Sequence, residues 1–126
     1  MQIRESAEDY LEAILVLKET NGNVRAVDIA HYLGFSRPSV SIAMKNLREN
    51  GYINVSDDLL ITLTARGAEI AERVYERHRV LTNFLCLLGV AEQTARTDAC
   101  RIEHDLSPES FACIKEFYQN SLKPRD

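Results

Sequence analysis

The chain has 126 residues, 45% of them hydrophobic, enough for one compact unit or for two small units sharing a core. No apolar run is long enough to span a bilayer. The start, Met1-Gln2-Ile3-Arg4-Glu5, lacks the basic-then-apolar order of a signal peptide. Three cysteines form no disulfide framework, so a reducing cytoplasm is the expected location. A net charge of −4 argues against coating nucleic acid by bulk electrostatics. Between Arg25 and Ser56, however, Arg25, Arg37, Lys45 and Arg48 outnumber Asp28 and Glu49, a locally basic stretch in an acidic chain.

Taken in order, the elements are mostly helical. Ser6 is the expected N-cap of a first helix, with Asp9 as its partner in a capping box. Tyr10, Ile14, Leu15 and Leu17 then recur at helical spacing, and Asn21-Gly22-Asn23 ends the helix. A short second helix turns Val27, Ile29, Ala30 and Leu33 inward and closes at Gly34. Ser36 caps a third helix with Pro38 in its first turn, Val40, Met44 and Leu47 inward, and Gly51 at its end. Two β-rich runs follow, Tyr52 to Val55 and Leu60 to Leu63, joined by a tight turn over Ser56-Asp57-Asp58-Leu59. Thr64 starts a long fourth helix that Gly89 stops. A fifth runs from about Ala91 to His104. Ser107-Pro108 opens a sixth, with Phe111, Ile114, Phe117 and Tyr118 as its apolar positions. The tail from Ser121 is expected to fray.

Three helices and a two-stranded hairpin, in that order, predict a winged helix-turn-helix, and the turn around Gly34-Phe35-Ser36 has the length of its corner. The fold class is therefore mainly α: a winged helix-turn-helix DNA-binding domain over residues 1–70, then a helical domain over 71–126. On the third helix, Ser36, Arg37, Ser39, Ser41 and Lys45 are the candidate DNA-binding residues. Small hydroxyls and cations near the start of a recognition helix suit base edges and phosphates in a major groove. Ser36 and Ser39 also have a plainer use as caps. Arg48 is placed to reach a phosphate. Asp57 and Asp58 at the wing tip would be repelled by phosphate, so strong wing contacts are not expected.

Two groups of side chains carry metal-binding chemistry. Asp9 and Glu12, three apart on the first helix, place two carboxylates on one face. Cys100, Glu103 and His104 follow an i, i+3, i+4 pattern on the fifth helix and offer a thiolate, a carboxylate and an imidazole on one face. His78, midway along the fourth helix, adds a nitrogen. Mixed oxygen and nitrogen donors suit Mn2+ or Fe2+, and a cysteine moves preference toward softer, later metals. Each residue also has an ordinary reading. Asp9 can serve the first cap, Glu12 a solvated face, His104 a helix end and Cys100 a small packing position.

Several segments together resemble the diphtheria-toxin-repressor and manganese-transport-regulator family of bacterial metalloregulators. They are Ser6 to Ile14, Val40-Ser41, Leu63-Thr64-Ala65-Arg66-Gly67, Arg77-His78-Arg79 and Cys100 to Ser107. The Leu-Thr-x-x-Gly piece is common to many winged helices. Glu-Asp-Tyr-Leu-Glu together with Ile-Glu-His-x-Leu-Ser is specific. The resemblance covers nearly the whole chain and implies that the helical domain over 71–126 is a metal-binding and dimerisation domain. It implies a homodimer that binds double-stranded operator DNA when loaded with Mn2+ or Fe2+ and represses metal-homeostasis genes, with Zn2+, Co2+ or Ni2+ as substitutes in vitro. It also implies metal-ligand roles for Asp9, Glu12, His78, Glu103 and His104, as in manganese-type members. Cys100 stands where those members have glutamate and iron-type members have cysteine, while iron-type members have methionine where Asp9 stands. The chain is thus a hybrid of the two subtypes. Thr82 and Arg96 occupy ancillary-site positions of the iron subtype, and Ile42 stands where that subtype has a base-contacting glutamine.

With ligands divided between a DNA-binding half and a dimerising half, carboxylate repulsion would separate the halves without metal. A cation would favour the spacing that DNA half-sites require, so metal and DNA would each raise the other's affinity. A metal-independent winged-helix regulator, sensing an organic ligand or an oxidant through Cys100, is the alternative. An enzyme using Cys100 and His104 as nucleophile and base is disfavoured, since no oxyanion hole or substrate pocket accompanies them. No membrane role and no small-molecule substrate are expected. A pure interaction module would leave the basic third helix unexplained.

Overall fold

The computed structural model describes residues 5–122. Its elements are α1 (Glu5–Asn21), α2 (Ala26–Leu33), α3 (Arg37–Glu49), β1 (Ile53–Val55), β2 (Ile61–Leu63), α4 (Ala65–Leu87), α5 (Glu92–Ile102) and α6 (Pro108–Ser121). The chain divides into two compact units, Met1–Val74 and Tyr75–Asp126, with the division inside α4. The opening residues Met1 to Arg4, and the expected frayed tail beyond Leu122, lie outside the described residues. No helix among the described residues is long and apolar enough to cross a membrane.

The first unit is a winged helix. Tyr10, Leu11, Ala13, Ile14 and Leu17 of α1 are buried and form one core with Ile29 of α2, Val40, Met44 and Leu47 of α3, and Ile53 and Ile61 of the hairpin. The pattern at i, i+3, i+4 and i+7 drives this, because it presents one continuous apolar face. Two expectations need correction. Ser6 is not an N-cap: α1 is already helical at Glu5, and a capping residue needs non-helical backbone. Val27 does not point inward but is 44% exposed. The buried residues of this short helix are Ile29 and Ala30.

Ends form where the residue types require. The Ser36 hydroxyl accepts from the Ser39 amide at 3.3 Å, capping α3, and Pro38 sits in the first turn. Gly34, after α2, adopts φ +72°, the left-handed conformation that glycine takes without a steric cost. β1 and β2 pair antiparallel with Ile53 opposite Leu63, Asn54 opposite Thr62 and Val55 opposite Ile61. The period of two puts the four apolar residues on one side and leaves Asn54 and Thr62 exposed on the other. The turn between the strands is closed by the Ser56 hydroxyl, which accepts from the Leu60 amide at 3.1 Å, and it holds Leu59 at φ +64°.

The Leu-Thr-x-x-Gly segment joins the hairpin to α4. The Thr64 hydroxyl donates to the Gly51 carbonyl at 2.7 Å and accepts from the Gly67 amide at 3.2 Å, so one side chain caps α4 and holds the base of the wing. Gly67 is required there, since a Cβ would lie 2.0 Å from the Tyr52 carbonyl oxygen. Arg66 stacks on the Tyr52 ring at 4.6 Å and donates to the Asn50 carbonyl at 3.2 Å.

The second unit is helical. Its buried apolar residues, among those described, are Val80 and Leu81 of α4 and Ala95 and Ala99 of α5. Ser107 caps α6, accepting from the Ser110 amide at 3.1 Å. The Phe84 and Phe117 rings meet edge to face at 6.1 Å, yet no residue of α6 is buried and Phe117 is 62% exposed.

Candidate functional site

Within the first unit, α3 presents Arg37, Ser39, Ser41, Ile42 and Lys45 to solvent, opposite its buried face. The Ser36 and Ser39 hydroxyls are hydrogen-bonded to each other at 2.9 Å, and Ser36 is engaged as the helix cap. Arg37, Ser41 and Lys45 form the outward polar face. Ile42, 64% exposed, is a large apolar side chain in the middle of that face. A groove of about 450 Å³ lies between α2, α3 and the hairpin, with Val27, Met44, Val55 and Ile61 as apolar lining and Arg25, Lys45 and Arg48 as cations. Val27 thus lines this groove and not the core. A helical wheel could not have shown that, because the hairpin supplies the far wall.

Asp9 and Glu12 belong to this unit too. Both are half-buried, three residues apart on the same side of α1. Between them, Tyr10 is buried in the core, and its phenol is shifted above the ordinary tyrosine range by loss of hydration. Glu8 receives the Arg73 guanidinium at 2.9 Å.

The second unit holds the other four candidates. One expectation is corrected here: Cys100, Glu103 and His104 do not lie on one regular helix. α5 ends at Ile102. Glu103 is the C-cap and keeps near-helical angles, φ −59° and ψ −33°, whereas His104 is in the following turn. The amides of Asp105 and Leu106 both return to the Ile102 carbonyl, at 3.1 and 3.0 Å, and tighten the chain. Ser107, the residue before Pro108, is extended with ψ 156° and opens α6.

The tightened turn still brings the donors together. Glu103 is 2% exposed, the buried charged residue of the described chain. Cys100 and Glu103 offer ligand atoms within 4.8 Å of each other, and so do His78 and Glu103. His104 Nε2 lies 3.4 Å from Glu103 Oε1. His78 Nε2 makes a long contact of 3.4 Å to the Arg96 carbonyl; a proton on that nitrogen would be donated there, leaving Nδ1 with the lone pair. Cys100 is exposed to solvent. Two imidazoles and a thiol around one buried carboxylate suit a first-row divalent metal, because an ionised carboxylate out of water needs positive charge beside it. Residue chemistry alone therefore fits the metal.

Residues 2–59 match the family described as "Iron dependent repressor, N-terminal DNA binding domain", and residues 64–123 match "Iron dependent repressor, metal binding and dimerisation domain". The chain belongs to the iron-dependent repressor family. These are transcriptional regulators with a DNA-binding first domain and a metal-binding, dimerising second one. Family relatives include the transcriptional regulator MntR of Escherichia coli O6:H1, 39% identical over 92% of this chain and 75% of its own length. They also include the HTH-type transcriptional regulator MJ0568 of Methanocaldococcus jannaschii, 37% identical over 91% of this chain and 94% of its own length. Among solved structures, the chain is similar to a manganese-dependent transcriptional repressor in complex with manganese, with a TM-score of 0.82 and 29% identity over 95% of this chain. The chain spans 55% of the length of that solved chain. Both halves of the family's domain plan thus have their counterpart here.

Proposed function

We propose that this protein is a cytoplasmic, homodimeric repressor that binds double-stranded operator DNA in response to Mn2+ or Fe2+ and controls metal-homeostasis genes. The observation that carries the metal half is the turn after α5, where the buried Glu103 has Cys100, His78 and His104 as neighbouring donors. We assign the ligand set to Asp9 and Glu12 from the first unit and His78, Cys100, Glu103 and His104 from the second. Zn2+, Co2+ and Ni2+ would also bind such donors in vitro, and the Cys100 thiolate favours these later ions. A divalent cation, when bound, supplies the positive charge that lets these carboxylates share one site.

The residues of the chain do the rest. Arg37, Ser39, Ser41 and Lys45, beside the capping Ser36, face the base edges and phosphates of a major groove, with Arg25 and Arg48 on flanking phosphates. Ile42 offers an apolar contact to a thymine methyl. The exposed apolar residues Leu87, Leu88, Phe117 and Leu122 of the second unit supply a face for a second copy of the chain.

The deciding experiment is an anaerobic titration with Mn2+, Fe2+ and Zn2+ that follows binding to a pool of genomic DNA fragments. Metal is expected to raise affinity for a subset of fragments. Equal binding with metal and with chelator would remove metal from the mechanism. Cys100→Glu is expected to shift preference toward Mn2+ relative to Zn2+, and unchanged calorimetric preference would exclude Cys100 from the ligand set.

A further inference from the structure

We infer that Arg77 is a positioning residue for the metal-ligand turn. It resides on α4, one residue before His78. Its Nη1 donates to the Glu103 carbonyl at 2.7 Å and to the Leu106 carbonyl at 3.0 Å. Its guanidinium lies over the Phe111 ring of α6, 5.0 Å from the centroid. One side chain therefore spans the start and the end of the turn that carries Glu103 and His104, and is itself held flat by an aromatic ring.

The physical need is plain. Past the end of α5 the carbonyls have no partner in the helical ladder, and irregular backbone is the poorest support for ligands that must hold their positions within fractions of an ångström. The Glu103 amide is fixed by Ala99, and those of Asp105 and Leu106 by Ile102. The carbonyls of Glu103 and Leu106 are fixed by Arg77. Bonds from a guanidinium are charge-assisted, and stacking on Phe111 removes the freedom of a long side chain before the bonds form. His78 is adjacent in sequence, so the same turn of α4 supplies a nitrogen donor and the brace for two others. The neighbouring cation acts through geometry: its Nη1 donates to two carbonyl oxygens of the turn.

This inference rests on Glu103 and His104 being ligands, and the test separates the two ideas. Mn2+ binding to the full chain is measured by calorimetry and by electron paramagnetic resonance for wild type, His104→Ala, Arg77→Met, Arg77→Lys and Phe111→Leu. Circular dichroism of each metal-free chain checks folding. Arg77→Met keeps the apolar stem and removes every donor; Mn2+ affinity should fall about 10- to 100-fold, the range for residues that orient ligands. Arg77→Lys keeps a donor and a charge and should recover part of that loss. Phe111→Leu should cost only a few-fold. A space-filling role predicts the reverse, with Met restoring what Lys does not. Wild-type affinity and an unchanged Mn2+ spectrum in Arg77→Met would overturn the inference. If His104→Ala also binds like wild type, the ligand assignment itself fails. If Arg77→Met does not fold, Arg77→Lys and Phe111→Leu decide: weakened Mn2+ binding in either supports the proposal, and wild-type affinity with an unchanged Mn2+ spectrum in both overturns it.

Discussion

The two units bury different things. The winged helix closes around large apolar side chains from every one of its elements, with Leu11, Ile14, Ile29 and Val40 fully enclosed. Among its described residues the second unit encloses two aliphatic residues, two alanines and a glutamate, while Leu87, Leu88, Phe117 and Leu122 stay exposed. A core of the first kind stabilises a small domain by itself. One of the second kind is what a small unit shows when a metal and a second copy complete it. The contrast suggests that stability resides in the DNA-binding half and responsiveness in the other.

The sharpest way to break this contrast is at His104. His104→Ala should remove metal-dependent DNA binding by about 100-fold, the upper end for loss of a site-defining group. Metal-free DNA affinity should be unchanged. A retained metal response in a fragment-binding titration would move responsiveness elsewhere. Next comes Leu11→Ala, expected to destabilise the chain by ~2–5 kcal/mol through the cavity it leaves. Phe117→Ala should cost well under ~1 kcal/mol in the monomer, because an exposed ring loses little burial. Urea unfolding compares the two, and equal losses would mean that the units share one core. Gly67→Ala should cost about 1–3 kcal/mol, since its methyl meets backbone and not a movable side chain. Ser36→Ala should cost ~1 kcal/mol for a lost cap, read from the same unfolding curves. A much larger effect of Ser36→Ala on DNA affinity would show that its hydroxyl also contacts DNA.

How much was legible beforehand differs along the chain. Ser36, Ser107 and Thr64 were readable as helix starts because a cap is a local bargain between one hydroxyl and an amide three residues on. Ser6 failed by the same logic, since propensity at one residue does not stop a helix that continues upstream. The apolar spacing of α1 and α3 identified their buried faces. Val27 was misplaced because its surroundings include the hairpin, more than 25 residues away in sequence. Arg77 could be seen only as part of a resembling segment; nothing in its neighbours announces that its partners are two carbonyls near residue 105.

The donor set shows the division most clearly. Sequence by itself offered the candidate donor types and their grouping, because i, i+3 and i+4 spacings are properties of a single helix. Tertiary structure alone decided that α5 stops before Glu103 and that the donors meet in a turn. The amides of Asp105 and Leu106 turn back onto Ile102, and the carbonyls of Glu103 and Leu106 are taken by a guanidinium from another helix. Those are contacts at a distance, and a local pattern carries no record of them.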